Sequence, residues 1–351
     1  LVRRGGDNEA RRAGARRWTA LLRLLRELWY EFVNRREVLG LGLLLLLGGF
    51  LAWRTETFFG WTNISNILRA FSWIAIAAFG EGMIIIIGGI DLSVGAVMAL
   101  SGLTSALSLD LGLPVFFAIL VGLLTGALVG WINGLLVGHL NLPPFMVTLG
   151  TMSIARGLIF GLTGGWPVRT LPPEFRAFGQ NSLNLGIFAL PVPVLIMLGL
   201  ALLMELLLTQ TVLGRYIYTL GHNEEALRVV DVSVRQIKVL VYTLGGLLTA
   251  VGGLLMTARL GVAVPTAATG YELNIIAAAV IGGASLFGGE GNVRGILLGA
   301  IIMQVMQNGL VLLGFPAYWQ TLAIGIMILL FILLDHWRRQ HRSRGGGRVG
   351  G

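Results

Sequence analysis

The stretch LGRYIYTLGHNEEALRVVDVSVRQIKVLVY, Leu213–Tyr242, lies between two long apolar runs. It nevertheless carries Arg215, His222, Glu224, Glu225, Arg228, Asp231, Arg235 and Lys238. So many charges do not sit in hydrocarbon, so this is where the chain leaves the membrane. Gly221 is expected to break the preceding helix, and Asn223 can cap a new one by accepting from its first free N–H groups. Glu224 and Glu225 fall in the first turn, where the helix dipole favours negative charge. Ala226, Val229 and Val230 recur at spacings of three and four, which gives one apolar face. The pattern predicts a short amphipathic helix over 222–232, either a solvated loop helix or a docking element.

Working outward, the rest of the chain fits that reading. Of 351 residues, 55% are apolar and only 12% are charged, a balance that no soluble domain shows. Glycine is abundant at 51, as expected where helices pack closely in lipid. There is no cysteine, which excludes disulfides, thiol catalysis and Cys-based metal sites. The net charge of +9 is concentrated in the tails. That points to membrane topology and an anionic leaflet rather than to nucleic acid.

Apolar runs long enough to span a bilayer fall at 38–54, 64–88, 92–110, 113–138, 143–163, 191–209, 236–258, 271–287, 294–313 and 316–334. The expected fold is therefore an all-α polytopic membrane protein of about ten spans, with the third and eighth short and glycine-interrupted. Residues 1–36 form a basic, partly disordered tail in which Trp18–Phe32 has the spacing of an interfacial amphipathic helix. No small-residue cleavage site follows to make it a signal peptide. Residues 37–335 form the membrane domain and 336–351 a second basic tail. Ten basic residues precede the first span and five follow the last. With ten spans, Arg215, Arg228, Arg235, Lys238 and Arg294 join them, and the other side keeps only Arg54, Arg169, Arg176 and Arg259. The positive-inside rule then places both termini and the Leu213–Tyr242 stretch in the cytoplasm. The long outer loop 164–190 reads as a structured cap, either an aromatic belt with turns or a docking surface.

A second motif is Gly88-Gly89-Ile90-Asp91-Leu92-Ser93-Val94-Gly95. Its glycines break a helix, and Asp91 or Ser93 can cap the next. An aspartate at membrane depth is costly and usually has a use. Ile281-Gly282-Gly283 echoes Ile87-Gly88-Gly89, either by chance or as the internal symmetry of a transporter with broken helices. Glu81 and Arg156 also fall inside spans, where they either pair with each other or act separately, for example on backbone carbonyls. Glu272 can cap the eighth span by the dipole argument. Asn133, Asn274, Gln304, Gln307 and Asn308 carry amides that match sugar hydroxyls or else hold helices together. Gln304, Gln307 and Asn308 share one helix face. There is no Walker loop, metal-ligand spacing or nucleophile elbow, so no catalysis and no resident cofactor or metal is expected.

Several motifs together carry a resemblance. Glu225-Ala226, with Gly221 before them, looks like the coupling-loop signature of ABC importer permeases. GGIDLSVG followed by AVMALSG closely resembles permeases for ribose, xylose and related monosaccharides. Thr148–Gly157, Thr269–Leu273 and Ile281–Gly289 extend the likeness from about Asn63 to Leu333. Two departures stand out: Asp231 occupies a place usually held by glycine after the coupling helix, and Glu81 a place usually neutral. The resemblance implies a ten-helix importer fold of the type II kind that pairs with a second permease chain, most simply a copy of itself. An extracytoplasmic sugar-binding protein would dock outside. A separate ATP-binding subunit, holding ATP and magnesium, would push on Gly221, Asn223, Glu224, Glu225, Ala226 and Asp231. Gly88, Gly89, Asp91, Ser93, Glu81, Arg156 and the amide residues would form path or hinge. Rival readings are a permease for branched-chain amino acids or nucleosides, or an ion-coupled secondary transporter using Glu81, Arg156 and Asp91.

Overall fold

Long apolar runs fold as helices because hydrocarbon leaves no other partner for backbone N–H and C=O groups. The computed structural model describes residues 36–345, apart from 185, 187 and 188. The N-terminal tail and its amphipathic segment lie outside these residues. In chain order the helices are α1 Arg36–Arg54, α2 Trp61–Ile86, α3 Val94–Asp110, α4 Val115–Gly138, α5 Pro144–Thr163 and α6 Pro173–Gln180. After a hairpin come α7 Val192–Gln210, α8 Val212–His222, α9 Glu224–Val229, α10 Val234–Leu260, α11 Tyr271–Ile281, α12 Val293–Leu312 and α13 Ala317–Gly345. Among the described residues six helices are long and apolar enough to cross a membrane, and four more apolar helices are shorter.

The chain is mostly helical rather than all-α. In the long loop, β1 Ser182–Asn184 pairs antiparallel with β2 Ala189–Pro191, Ser182 facing Pro191. The eighth expected span, 271–287, stops at Ile281, because Gly283 turns the chain at φ 96°. The last helix continues past the expected end at 334, to Gly345.

The centre of the bundle is α2, whose apolar window is 94% buried, against 22% for α4 and for α5. Around it pack α10, α11 and α12, and α10 crosses α4 with almost no side chain between them. A Cβ on Gly130 would lie 2.2 Å from the Tyr242 carbonyl oxygen, and one on Gly246 2.2 Å from that of Gly126. Close approach of this kind replaces the hydrophobic drive that helices lack in lipid.

At one end of the bundle the cap is fixed by Arg69 of α2, which is buried. Its Nη1 donates to the carbonyls of Gly179 (2.8 Å) and Asn181 (3.3 Å), and its Nη2 to Ser182 Oγ (2.7 Å). Val168 and Ala263 add a two-way backbone bridge, and Arg259 Nη2 donates to Asn66 Oδ1 at 2.8 Å.

Candidate coupling and translocation site

At the other end, α8 starts at Thr211, whose hydroxyl accepts from Gly214 N at 3.1 Å. It does not break at Gly221, as the sequence suggested. It runs to His222, and the break falls at Asn223, which is extended. Asn223 Oδ1 accepts from Glu225 N (3.0 Å) and Ala226 N (3.3 Å), the expected cap of α9. Glu224 turns inward: Oε1 accepts from Arg228 at 2.7 Å and Oε2 from Lys238 of α10 at 3.0 Å. Burial works against its charge, but the hydrogen bonds from Lys238 and Arg228 outweigh it and hold the carboxyl below its ordinary range.

The inward apolar contact of α9 is Leu227, which is buried and lies outside the apolar face of Ala226, Val229 and Val230 read from the sequence. Those three face outward, with Val229 86% and Val230 63% exposed. After α9, Val232 N donates to Leu227 O and Asp231 N to Arg228 O, with Asp231 left-handed at φ 56°. This is a Schellman turn, whose left-handed position normally takes glycine. Asp231 therefore makes the turn a glycine there would make.

Gly221 meets the core. A Cβ on it would lie 1.9 Å from Ile86 O and 2.4 Å from Gly289 N. Gly289 N itself donates to Ile86 O at 2.8 Å. Tyr218, one turn earlier, donates its hydroxyl to Gly291 O at 2.7 Å. Burial first, then the Glu205 carboxylate, pushes that hydroxyl above its ordinary value and keeps it a donor. Thus α8 rests on the end of α2 and on the loop that leads from α11 to α12.

Both of those helices end alike. Gly89 N donates to Ile84 O and Gly88 N to Ile85 O, and Ala284 N donates to Ala279 O and Gly283 N to Val280 O. Gly88 (φ 81°) and Gly283 (φ 96°) hold the left-handed place. The echo in the sequence is therefore a repeated Schellman turn, with Gly88 matching Gly283 rather than Gly282.

From Gly88 the chain runs without helix to Ser93. Asp91 N donates to Glu81 Oε1 at 3.1 Å, and Leu92 N to Thr148 Oγ1 at 3.1 Å. Asp91 Oδ1 accepts from Ser93 N (2.7 Å) and Ser93 Oγ (2.5 Å). Neither Asp91 nor Ser93 caps α3 with a side-chain bond, because each is already engaged in this turn. Asn133 Nδ2 donates to Ser93 Oγ at 3.2 Å, and Asn133 Oδ1 accepts from Thr151 Oγ1 at 2.6 Å. Glu81, Asp91, Ser93, Asn133 and Thr151 thus form a chain of hydrogen bonds linking α2, α3, α4 and α5.

Glu81 and Arg156 are not a pair. Arg156 Nη1 donates to the carbonyls of Ala267 (2.8 Å) and Pro265 (3.5 Å), fixing the segment that leads into α11. Glu272 does not bond the start of α11. Its Oε2 would lie 2.5 Å from a Cβ on Gly95, so α11 begins beside the first turn of α3. With 11 residues α11 is about 17 Å long, roughly half of a hydrocarbon core. Of the amides, Asn133 and Asn308 hold helices together: Asn308 and Asn63 exchange bonds of 2.8 and 3.1 Å. Asn274 and Gln304 are buried, each with an unbonded carbonyl oxygen, and Gln307 is half-buried. Sequence reasoning missed Leu227, Tyr218, Thr148 and Tyr242. Only the aromatic–charge mixture around Tyr218 offered a signal.

Broken spans around a buried polar turn, with one short helix held out from the bundle, define a polytopic membrane transport subunit. The comparisons narrow this. Residues 63–332 match the family described as branched-chain amino acid transport system / permease component, and the chain belongs to that family. It is 41% identical over 300 residues to the ribose import permease RbsC of Haemophilus influenzae, covering 84% of this chain and 91% of that one. The fructose import permease FrcC of Rhizobium meliloti is 36% identical over 289 residues, covering 81% and 80%. The D-allose permease AlsC of Escherichia coli is 35% identical over 281 residues, covering 80% and 85%. No solved structure matches the chain.

Proposed function

We propose that this chain is the membrane-spanning subunit of an ATP-driven importer of a monosaccharide. The observation that carries the coupling mechanism is the outward face of α9, Ala226, Val229 and Val230, on an arm whose Gly221 rests on Ile86 and Gly289. An ATP-binding subunit, which supplies ATP and magnesium, seats on that face. Its closure tilts α8 and moves the ends of α2 and α11 together. The cap around α6 and the hairpin is the place for an extracytoplasmic sugar-binding protein. Because that protein supplies the affinity, the path needs only scattered groups, among which Asn274, Gln304 and Gln307 are the candidates. The chain itself performs no hydrolysis.

The remaining topology belongs to the same reading. The six long and four shorter apolar helices make ten spans in the bacterial inner membrane, with both termini and α9 cytoplasmic. Residues 37–335 are the permease and the two basic tails flank it. A second copy of the chain completes the path. The importers named among the relatives favour a pentose or hexose, while the family description favours a branched-chain amino acid as second reading.

The test is uptake into proteoliposomes carrying the permease, its ATPase and its binding protein, with labelled ribose, fructose, allose and leucine. ATP-dependent uptake of a sugar supports the proposal. Uptake of leucine alone replaces the substrate, and uptake that needs a proton gradient but no ATP replaces the mechanism by a secondary transporter.

A further inference from the structure

Between α10 and α11, residues 261–270 run without helix, and they do so at membrane depth. The start of the segment is tied to the cap by the Val168–Ala263 bridge. Its end lies far below. A Cβ on Gly95, in the first turn of α3, would lie 2.7 Å from Ala268 O. From Gly95, α3 rises about 22 Å to Asp110, whose carboxylate accepts from Thr170 of the cap. Ala268 therefore sits deep within a hydrocarbon core of roughly 30 Å. Irregular backbone at that depth is tolerated only where it is buried in protein or lines water.

Burial does not account for it. Thr266 and Thr269 are exposed, and Gly270 is half-buried. Among the described residues the N–H groups of Thr266, Thr269 and Gly270 meet no acceptor, and the Thr266 hydroxyl has no partner. Arg156 of α5 holds the strip by donating from Nη1 to Ala267 O at 2.8 Å, between the two threonines. Open space flanks it: nothing lies within 4 Å of the side-chain position of Gly157, beside Arg156, or of Gly270. Ala268 keeps a left-handed backbone at φ 52°, strain of the kind that persists at functional positions.

We propose that Thr266, Thr269 and Gly270, held in place by Arg156, line the water-filled path and contact the solute in transit. The hydroxyls of a polyhydroxylated solute both donate and accept, so they satisfy the open N–H groups and the threonine hydroxyls in turn. The charge of Glu272 reaches Arg156 and offsets it, which suits an uncharged solute rather than an ion. That the solute is a sugar rests on the import reading; that the strip faces water does not.

The chain has no cysteine, so a single introduced one reports on its own surroundings. Thr266→Cys is compared with Leu124→Cys, on the exposed apolar face of α4, in proteoliposomes carrying the full-length permease, its ATPase and its binding protein. A charged methanethiosulfonate, which needs a thiolate in water, is applied with and without ATP. It is expected to modify Thr266→Cys, to spare Leu124→Cys, and to cut uptake by the modified protein at least fivefold. Uptake is read with whichever of ribose, fructose and allose the wild type imports. Thr266→Val should lower uptake about fivefold, the worth of one hydrogen bond, and Thr266→Ser should restore most of it. No modification of Thr266→Cys in either condition overturns the wet strip. Modification that leaves uptake intact, or equal uptake by Thr266→Val and wild type, overturns contact with the solute. A wild type that imports none of the three sugars overturns the import reading instead, and the labelling, which needs no sugar, still decides whether the strip faces water.

Discussion

Gly221 and Gly289 meet backbone to backbone: a methyl group on Gly221 would stand 2.4 Å from the amide nitrogen of Gly289 and 1.9 Å from the carbonyl oxygen of Ile86. Neither neighbour is a side chain that can swing away. Gly221→Ala should therefore displace α8 from the core at a cost of about 1–3 kcal/mol. Binding of the ATPase, which we propose to use Ala226, Val229 and Val230, should persist. Uptake should fall at least about tenfold, the effect of little more than 1 kcal/mol on a barrier. A pull-down beside a transport assay reads both; equal loss of the two would place Gly221 in the docking face instead.

Glu224 gives a pH dependence with a definite sign. Its folded carboxyl lies below the ordinary value of 4.5, so its contribution is complete above that value and is lost as pH falls through the lower folded value. The side chain is 34% exposed, which limits the contribution to about 1 kcal/mol or less. The difference in thermal midpoint between wild type and Glu224→Gln should be constant at neutral pH and close in acid. A difference that widens in acid would contradict the assignment.

Asp231 holds a left-handed backbone at φ 56° where glycine is free of strain. Asp231→Gly should raise stability by up to about 1 kcal/mol, and Asp231→Val should lower it by more. Thermal midpoints of the two variants check the pair; a stabilising valine would show that the turn is not as described.

Thr151 donates to Asn133, and Asn133 to Ser93. Thr151→Val keeps the shape and leaves the buried Asn133 Oδ1 unbonded, at about 1–3 kcal/mol. Asn133→Leu should cost at least as much, because it leaves the Thr151 hydroxyl without its acceptor and Ser93 Oγ with only its bond to Asp91. Midpoints that do not change would mean that water replaces the lost bonds.

Arg69→Met should loosen the cap, since the carbonyls of Gly179 and Asn181 and the Ser182 hydroxyl lose one shared donor. Limited proteolysis within 164–190 should quicken several-fold while the rest of the chain keeps its pattern. Unaltered cleavage would show that the Val168–Ala263 bridge alone suffices.

Much of this was legible in order and type. Long apolar runs favour helices, and nearly every expected run reappears as a helix within a few residues, six of them long enough to cross a membrane. Asn223 as a cap was readable because capping is local chemistry. The inward residue of α9 was not: Leu227 and the Ala226–Val229–Val230 face are both apolar, and only packing decides which is covered. The link between Glu81 and Asp91 was hidden for a different reason. It depends on the chain folding back through a left-handed glycine, which a count of spans does not describe. Arg156 was expected either to pair with Glu81 or to meet carbonyls, and charge alone does not choose between them.

One further consequence concerns α2. It is an unbroken helix of 26 residues, about 39 Å long, with Arg69 tied to the cap and the Ile86 carbonyl tied to the loop under Gly221. A rigid member fixed at both ends makes events at its two ends thermodynamically reciprocal. If docking on the cap favours one position of α2, nucleotide-driven closure at the far end is favoured by the same factor. The binding protein should therefore hold tighter to the nucleotide-loaded complex in the measure that it raises affinity for nucleotide.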